Sequence, residues 1–377
     1  MAIRVVNVGT GLVGQEALRA LIDHPDTELV GHVVFDPAKV GRDIGDLVGY
    51  PRTGVIATSD LDAALTTEPD VVAYFATTHG RLKATLDEFV RILESGIHIV
   101  TTSVGALIHP GSARPDVLER LNAACQAGNS SLFSTGIDPG FFSDYLPVVL
   151  SGCARRIDGI RIYEMAIYES GGQSDLVAFD QVGFGRPIDT ITPLVHPESL
   201  KASWGGVLLM IAEQLGVSVD EITTSHEMLP SPETFPYQGR TIQEGTIAGM
   251  RFEIAAIVGG QNLISVSHVT RARRDLAPDW PRPHGDDAYR IVIEGNPRIE
   301  CETEFTNAHG DNLAGGFGIT AMRAINAIPL VVDARPGVLS VFDLPLIKGR
   351  LVAASELDRS LRSGTRPPGN DHEGPQS

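Results

Sequence analysis

Cysteine is scarce. Only Cys125, Cys153 and Cys301 occur in 377 residues, with no CxxC or Cys/His ligand spacing among them. That excludes a disulfide framework, and the thiols read as buried groups of a protein in a reducing cytoplasm. Basic residues are in deficit too: 30 Lys and Arg stand against 47 Asp and Glu, a formal net charge of −17. Phosphate backbones and anionic membrane surfaces need clustered positive charge, so neither nucleic acid nor a membrane is an expected partner. No run approaches the roughly 18–20 continuous apolar residues of a membrane span. The start, Met1-Ala2-Ile3-Arg4-Val5-Val6, lacks the basic-then-apolar pattern of a secretory leader. A G-x-S-x-G elbow, an HExxH helix and a Walker A loop are all missing. The histidines are too scattered for a metal constellation, and no metal is expected.

What is present is apolar material in an alternating arrangement. Hydrophobic residues make up 42% of the chain, enough for a proper core over two domains. Ile3–Val8 reads as a strand, and Ala17, Leu18, Leu21 and Ile22 repeat at helical spacing behind it. Further strands are expected at 28–35, 71–75 and 97–101, with a helix over 82–94. Strand and helix in alternation predict a parallel sheet with helices on both faces, an α/β Rossmann domain. Past residue 150 the texture changes: 158–169, 251–258, 263–270 and 288–294 alternate with period two, around a helix at about 204–215. These predict an α+β second domain whose mixed sheet has one open face. The expected organisation is a dinucleotide-binding domain over 1–150, completed by 310–350, with an α+β substrate and dimerisation domain over 151–309. Residues 355–377, polar and rich in Gly and Pro, read as a disordered tail.

Between the first strand and first helix stands Gly9-Thr10-Gly11-Leu12-Val13-Gly14. A GxGxxG in this context is a dinucleotide fingerprint. Gly9 permits the tight turn, Gly11 lets backbone approach a diphosphate, and Gly14 lets the helix pack closely. Asp36 falls about 20 residues further on, where an acid accepts from the ribose hydroxyls of NAD. Lys39 and Arg42 follow at once and offer the charge that the extra phosphate of NADP needs, so NAD and NADP both stay open. Thr77-Thr78 and Thr102-Ser103 follow later strands on the edge where such sheets bind ligands.

At these residues the sequence resembles a known family, the proteins with a dihydrodipicolinate-reductase-like N-terminal domain that include 2,4-diaminopentanoate dehydrogenase and the native amine dehydrogenases. The likeness is carried by Gly9–Gly14, by Lys39-Val40-Gly41-Arg42-Asp43, and by Ser134-Thr135-Gly136-Ile137-Asp138-Pro139-Gly140-Phe141. Ala324-Ile325-Asn326-Ala327-Ile328-Pro329 and Asp343-Leu344-Pro345-Leu346-Ile347 fit it as well. The resemblance implies hydride transfer between a nicotinamide and the carbon of an imine, a small-molecule substrate, and a homodimer. It also implies a carboxylate just after the strand ending at Val100-Thr101. Here that segment reads Ser103-Val104-Gly105-Ala106-Leu107, with no acid.

The candidates for the missing proton carrier are few. Asp138 is read either as a proton carrier or as a helix cap. Glu164 and Glu169 sit on one predicted strand and point to opposite faces, so one of them faces the cleft. His79 and His109 follow strand ends in the first domain, and Asn326 in the returning helix is placed to hydrogen-bond a nicotinamide. Three functions stay open at this point: an amine dehydrogenase-like oxidoreductase, an oxidoreductase for carbonyls, alcohols or cyclic imines that needs no ammonia, and a non-catalytic dinucleotide-binding protein.

Overall fold

A computed structural model describes residues 2–169 and 173–350; the tail expected at 355–377 lies outside the described residues. β1 (Ile3–Val8) leads into α1 (Leu12–Asp23) and then β2 (Thr27–Val33). The short α2 (Ile44–Val48), β3 (Ala57–Thr58) and α3 (Leu61–Leu65) follow. β4 (Val71–Tyr74), α4 (Leu82–Glu94), β5 (His98–Thr101), α5 (Pro115–Gly128) and β6 (Ser131–Ser134) continue the alternation. Every residue of β4 and β6 is buried, as expected for strands covered by helices on both faces.

After α6 (Tyr145–Ser151) the chain enters β7 (Arg156–Ile167) and the long α7 (Pro197–Leu215). β8 (Glu221–Pro230), a small hairpin of β9 (Phe235–Tyr237) and β10 (Arg240–Ile242), β11 (Ile247–Val258) and β12 (Gln261–Arg271) come next. β13 (Asp287–Asn296) and β14 (Ile299–Glu304) finish the second sheet. The chain then returns through α8 (Asn312–Ile325), α9 (Ile328–Val332) and β15 (Gly337–Leu339).

The first sheet runs β15-β6-β5-β4-β1-β2-β3, parallel throughout. Its order reverses between β1 and β4, and ligands of such sheets bind at the carboxyl ends of the strands flanking that point. The second sheet runs β14-β13-β7-β12-β11-β8, with β7 and β12 parallel and the other pairs antiparallel. α7 packs its apolar residues, among them Val207, Leu208 and Ile211, onto the inner face beside Ile254 and Val266. The outer face carries Arg161, Tyr163, Arg251 and Glu253, none of them fully buried.

β8 and β14 are edge strands that the periodicity did not predict. β8 has no fully buried residue and β14 none either, so the alternation that betrays a half-buried strand is missing from both. One helical stretch among the described residues, 312–332, is long and apolar enough to cross a membrane. Core packing accounts for it: Ala321, Ala324, Ile325, Ile328 and Val331 are buried against the first sheet, and the helix breaks ahead of Pro329.

Candidate active site

The glycine loop is held from beneath. Asn7 on β1 is fully buried, and its side-chain amide donates to the Gly9 carbonyl at 3.1 Å. Gly9 takes φ +103°, and a Cβ there would stand 2.8 Å from the Ala76 nitrogen. A Cβ at Gly14 would stand 2.4 Å from the Gly9 carbonyl oxygen, so α1 closes onto the loop only without one. Gly11 differs: nothing lies within 4 Å of a Cβ built on it. α1 starts at Gly11 with no side-chain cap and no acid in its first turn. Its first N–H groups and positive dipole end are therefore left facing open space, the setting that binds phosphate groups.

That space is a groove of about 760 Å³ along the switch point. Gly9, Thr10, Gly11, Leu12 and Val13 form one wall. Asp36 and Lys39 line it after β2, Thr77 and Thr78 after β4, and Thr102 and Ser103 after β5. Asp36 is exposed, and one carboxylate oxygen accepts from Ala38 N at 3.0 Å. Lys39 folds back, its ammonium donating to the Thr10 carbonyl and hydroxyl oxygens at 3.2 and 3.1 Å. Among the lining residues that the sequence did not single out are Phe35 and Arg81. Phe35 is 53% exposed beside Asp36, and the Arg81 guanidinium lies 4.3 Å from its ring centroid. Glu88 and the Tyr74 hydroxyl fix Arg81 at 2.6 and 2.7 Å. An exposed ring under a fixed guanidinium is a stacking surface for a planar base. Open backbone at Gly11, an uncapped helix start, an acid and a stacking surface together fit a dinucleotide.

A second group of titratable side chains gathers on the second sheet. Strand register brings it together: Glu164 on β7 lies opposite His268 on β12 and Tyr289 on β13, and cross-strand partners share a face. The Tyr289 hydroxyl donates to Glu164 Oε1 at 2.9 Å, and His268 Nδ1 lies 2.6 Å from Oε2. His268 Nε2 in turn lies 2.5 Å from the Thr270 hydroxyl. Stacking pins the partners: Phe252 on His268 at 5.3 Å and Phe142 on Tyr289 at 4.5 Å.

Asp138 reaches the same cluster from the loop after β6. Its Oδ1 accepts from the Trp204 indole on α7 at 3.1 Å, while Oδ2 is buried with no hydrogen-bond partner in ordinary geometry. Burial first, and the neighbouring Glu164 charge second, push the Asp138 carboxyl well above the usual carboxylate range. Burial also pushes Glu164 up, but the His268 charge and hydrogen bonds from His268 and Tyr289 overcome it, so Glu164 ends below its ordinary value. One carboxyl is pushed up beside another that is held low, the separation that acid–base pairs use. The capping reading of Asp138 does not hold. Asp144 caps α6, accepting from Tyr145 N and from Gly140 N at 2.6 Å.

Glu164 opens onto a cavity of about 150 Å³. Ile137, Phe305, Leu313 and Phe317 give it apolar walls, and Asp287, Tyr168, Gln173 and Thr320 give it polar ones. Gln173 lines the cavity and its neighbour Ser174 the groove, so one short segment borders both.

Several expected residues stand elsewhere. His79 is exposed in its loop, with its backbone N bonded to Thr77 Oγ1, and lines neither space. Arg42 turns away and donates to the Asp46 carbonyl at 3.3 Å. Asn326 borders a hollow between α8 and α1 beside Glu16 and Met322, outside the groove. His109 pairs with Glu213 of α7 at 3.0 Å, a contact between layers. Glu169 is exposed past the end of β7. Gly105 and Ala106 are exposed and carry no acid.

Comparison with known proteins agrees with this layout. A family model described as the 2,4-diaminopentanoate dehydrogenase C-terminal domain matches residues 141–359, and one described as the N-terminus of dihydrodipicolinate reductase matches residues 3–107. An amine dehydrogenase of Streptomyces virginiae is 39% identical over 343 residues, covering 90% of this chain and 95% of its own. The 2,4-diaminopentanoate dehydrogenase of Acetoanaerobium sticklandii is 23% identical over 350 residues, covering 91% and 94%. The solved amine dehydrogenase of Mycobacterium smegmatis shares the fold, with a TM-score of 0.74 at 23% identity over 93% of this chain and 98% of that one. The chain belongs to the amine and 2,4-diaminopentanoate dehydrogenase family of NAD(P)-dependent oxidoreductases.

Proposed function

We propose that the protein interconverts a small amine and its carbonyl compound, that NAD is its preferred cofactor, and that Asp138 and Glu164 supply the acid–base function that the segment after β5 lacks. The observation that carries this reading is Glu164, held by His268 and Tyr289 on the wall of the cavity, with the buried Asp138 carboxyl near enough to feel its charge. A bound nicotinamide supplies the hydride acceptor or donor. In oxidation, the protonated amine, water and oxidised cofactor become carbonyl compound, ammonium, reduced cofactor and a proton.

Glu164 binds the substrate ammonium and takes its proton, because hydride leaves only from the neutral amine. His268 and Tyr289 hold that carboxylate in place and in its ionised form. In the reverse direction Asp138, kept neutral by burial and by Glu164, donates the proton that lets hydroxyl depart as water. Ile137, Phe305, Leu313 and Phe317 keep bulk water from the reacting carbon.

The leaning to NAD rests on Asp36, which lines the groove with an exposed carboxylate while Arg42 faces Asp46. Ribose hydroxyls satisfy such an acid, and a phosphate on the same ribose is repelled by it. The reading keeps the homodimer and the cytoplasmic location expected from the sequence. Fluorescence titration with NADH and NADPH, then NADH oxidation with ketones with and without ammonia, tests it. Micromolar binding of NADH and rates that need ammonia are expected. Binding of neither dinucleotide, or rates indifferent to ammonia, would overturn it.

A further inference from the structure

The amine cavity has a second carboxylate. Asp287, at the start of β13, lies on the same sheet face as Tyr289 and Glu164, two positions before Tyr289 in a strand whose side chains alternate. One of its oxygens accepts from Ile167 N at 3.0 Å, which fixes the carboxyl on the cavity wall. Among the described residues that line this cavity there is no Lys, Arg or His. Two acids therefore face about 150 Å³ of space: Glu164 is backed by His268, while Asp287 meets no Lys, Arg or His among the described lining residues. Burial, with Glu164 adding repulsion, pushes Asp287 up to about 6. A carboxylate at this position is uncomfortable until a positive group arrives.

A monoamine relieves only one of these acids. An amino acid brings a further negative charge and meets no counter-charge at all. We propose that the substrate is a short aliphatic diamine without a carboxylate, its reacting nitrogen held by Glu164 and its second ammonium by Asp287. The size agrees: a cavity near 150 Å³ takes a ligand of about benzene size, the size of a four-carbon diamine. Four apolar walls, Ile137, Phe305, Leu313 and Phe317, suit the methylenes between the two nitrogens.

This inference rests on the amine reading above, and the test separates the two. Initial rates of cofactor reduction are compared for putrescine against butylamine and for cadaverine against pentylamine, pairs matched in carbon count and differing in the second nitrogen. The expected result is kcat/KM at least tenfold higher for the diamine of each pair. Asp287→Asn retains an oxygen for Ile167 N, so it is expected to keep NADH binding while bringing the diamine-to-monoamine ratio within about threefold of one. Measurable monoamine turnover with no diamine preference overturns the inference and leaves the amine reading standing. So does a preference that Asp287→Asn leaves intact. Turnover of none of the four amines, in protein that binds NADH, overturns both.

Discussion

Replacing Glu164 by Gln removes one charge and changes the side chain's size very little. The amide oxygen still accepts from the Tyr289 hydroxyl, which sits 2.9 Å from Oε1 in the native protein. What disappears is the charge that holds the substrate ammonium and the base that takes its proton. At hydrogen-bond distance and an effective dielectric near 20, that ion pair is worth about 5 kcal/mol before desolvation, and about 1.5–3 kcal/mol net. Loss of a positioned base costs about 10²–10⁴ in rate. The expected result is kcat/KM for the amine lower by about 10³, or about 4 kcal/mol of transition-state stabilisation. NADH affinity should not change, because Glu164 lines the cavity and the groove is lined by other residues.

A pH profile adds a signature that misfolding cannot mimic. Asp138 is raised by burial and then by the Glu164 charge. With Gln at 164 the second cause is gone, so the Asp138 carboxyl titrates lower. In the reductive direction activity requires protonated Asp138, and the alkaline limb of the profile should move to lower pH. Steady-state rates from pH 5 to 10, with NADH binding and the thermal midpoint as controls, read both effects. A loss of less than tenfold in protein that binds NADH normally, or an alkaline limb that stays where it was, would refute the assignment of Glu164 as base and Asp138 as acid.

Three further expectations follow from the groove and its support. Gly11→Ala adds its methyl to empty space, so the thermal midpoint should hold within about 2 °C while NADH affinity falls at least tenfold. Gly14→Ala pushes against the Gly9 carbonyl and should cost about 1–3 kcal/mol of stability by denaturant titration; the reverse pattern would mean that the two glycines have been assigned the wrong roles. Asp36→Ser removes the acid and leaves Lys39 beside Thr10, and should shift the NADPH/NADH affinity ratio at least tenfold toward NADPH, about 1.4 kcal/mol. His32, fully buried beneath the loop, is lowered to about 4, first by burial. Its folded value is depressed below the unfolded 6.5, so this stability is present above 6.5 and lost as pH falls toward 4. The loss is about 2 kcal/mol by pH 5 and about 3 kcal/mol by pH 4. Denaturant titrations of wild type and His32→Gln should diverge in slope over that window, and parallel curves would show that His32 carries no such load.

How much of this was readable in the chain depends on how far apart in sequence the cooperating residues lie. The dinucleotide groove was readable because one unbroken string, Gly9 to Gly14, makes its wall, and because the other lining residues stand at ends of strands whose apolar runs are conspicuous. Phe35 and Arg81 were missed for want of any local pattern: the ring projects after β2 and the guanidinium arrives from the start of α4. Arg42 and Asn326 were assigned by proximity to landmarks, and proximity along the chain does not fix direction. Arg42 finds a carbonyl of α2, and Asn326 sits on the side of α8 facing α1.

The carboxyl pair shows the opposite case. Glu164 was visible as an acid on a strand, but its character comes from His268 and Tyr289, 104 and 125 residues away. What connects the three is a rung of the second sheet, with β7 parallel to β12 and antiparallel to β13. Hydrophobic alternation announces strands without announcing which strand neighbours which, so no single segment reveals the rung. The same limit made the missing acid after β5 look like a missing function. Segments 103–107 and 138–164 lie far apart in the chain, and only the folded chain shows that the second puts a carboxylate, Glu164, on a cavity wall. A one-residue slip of β7 would send Glu164 to the outer face among Arg161 and Glu253 and leave Asp138 with no charged neighbour to hold its proton. Chemistry at this site is therefore specified by the register of three strands as much as by the residues, which is why a change on β12 or β13 that shifts pairing should abolish turnover while leaving the glycine loop able to bind its dinucleotide.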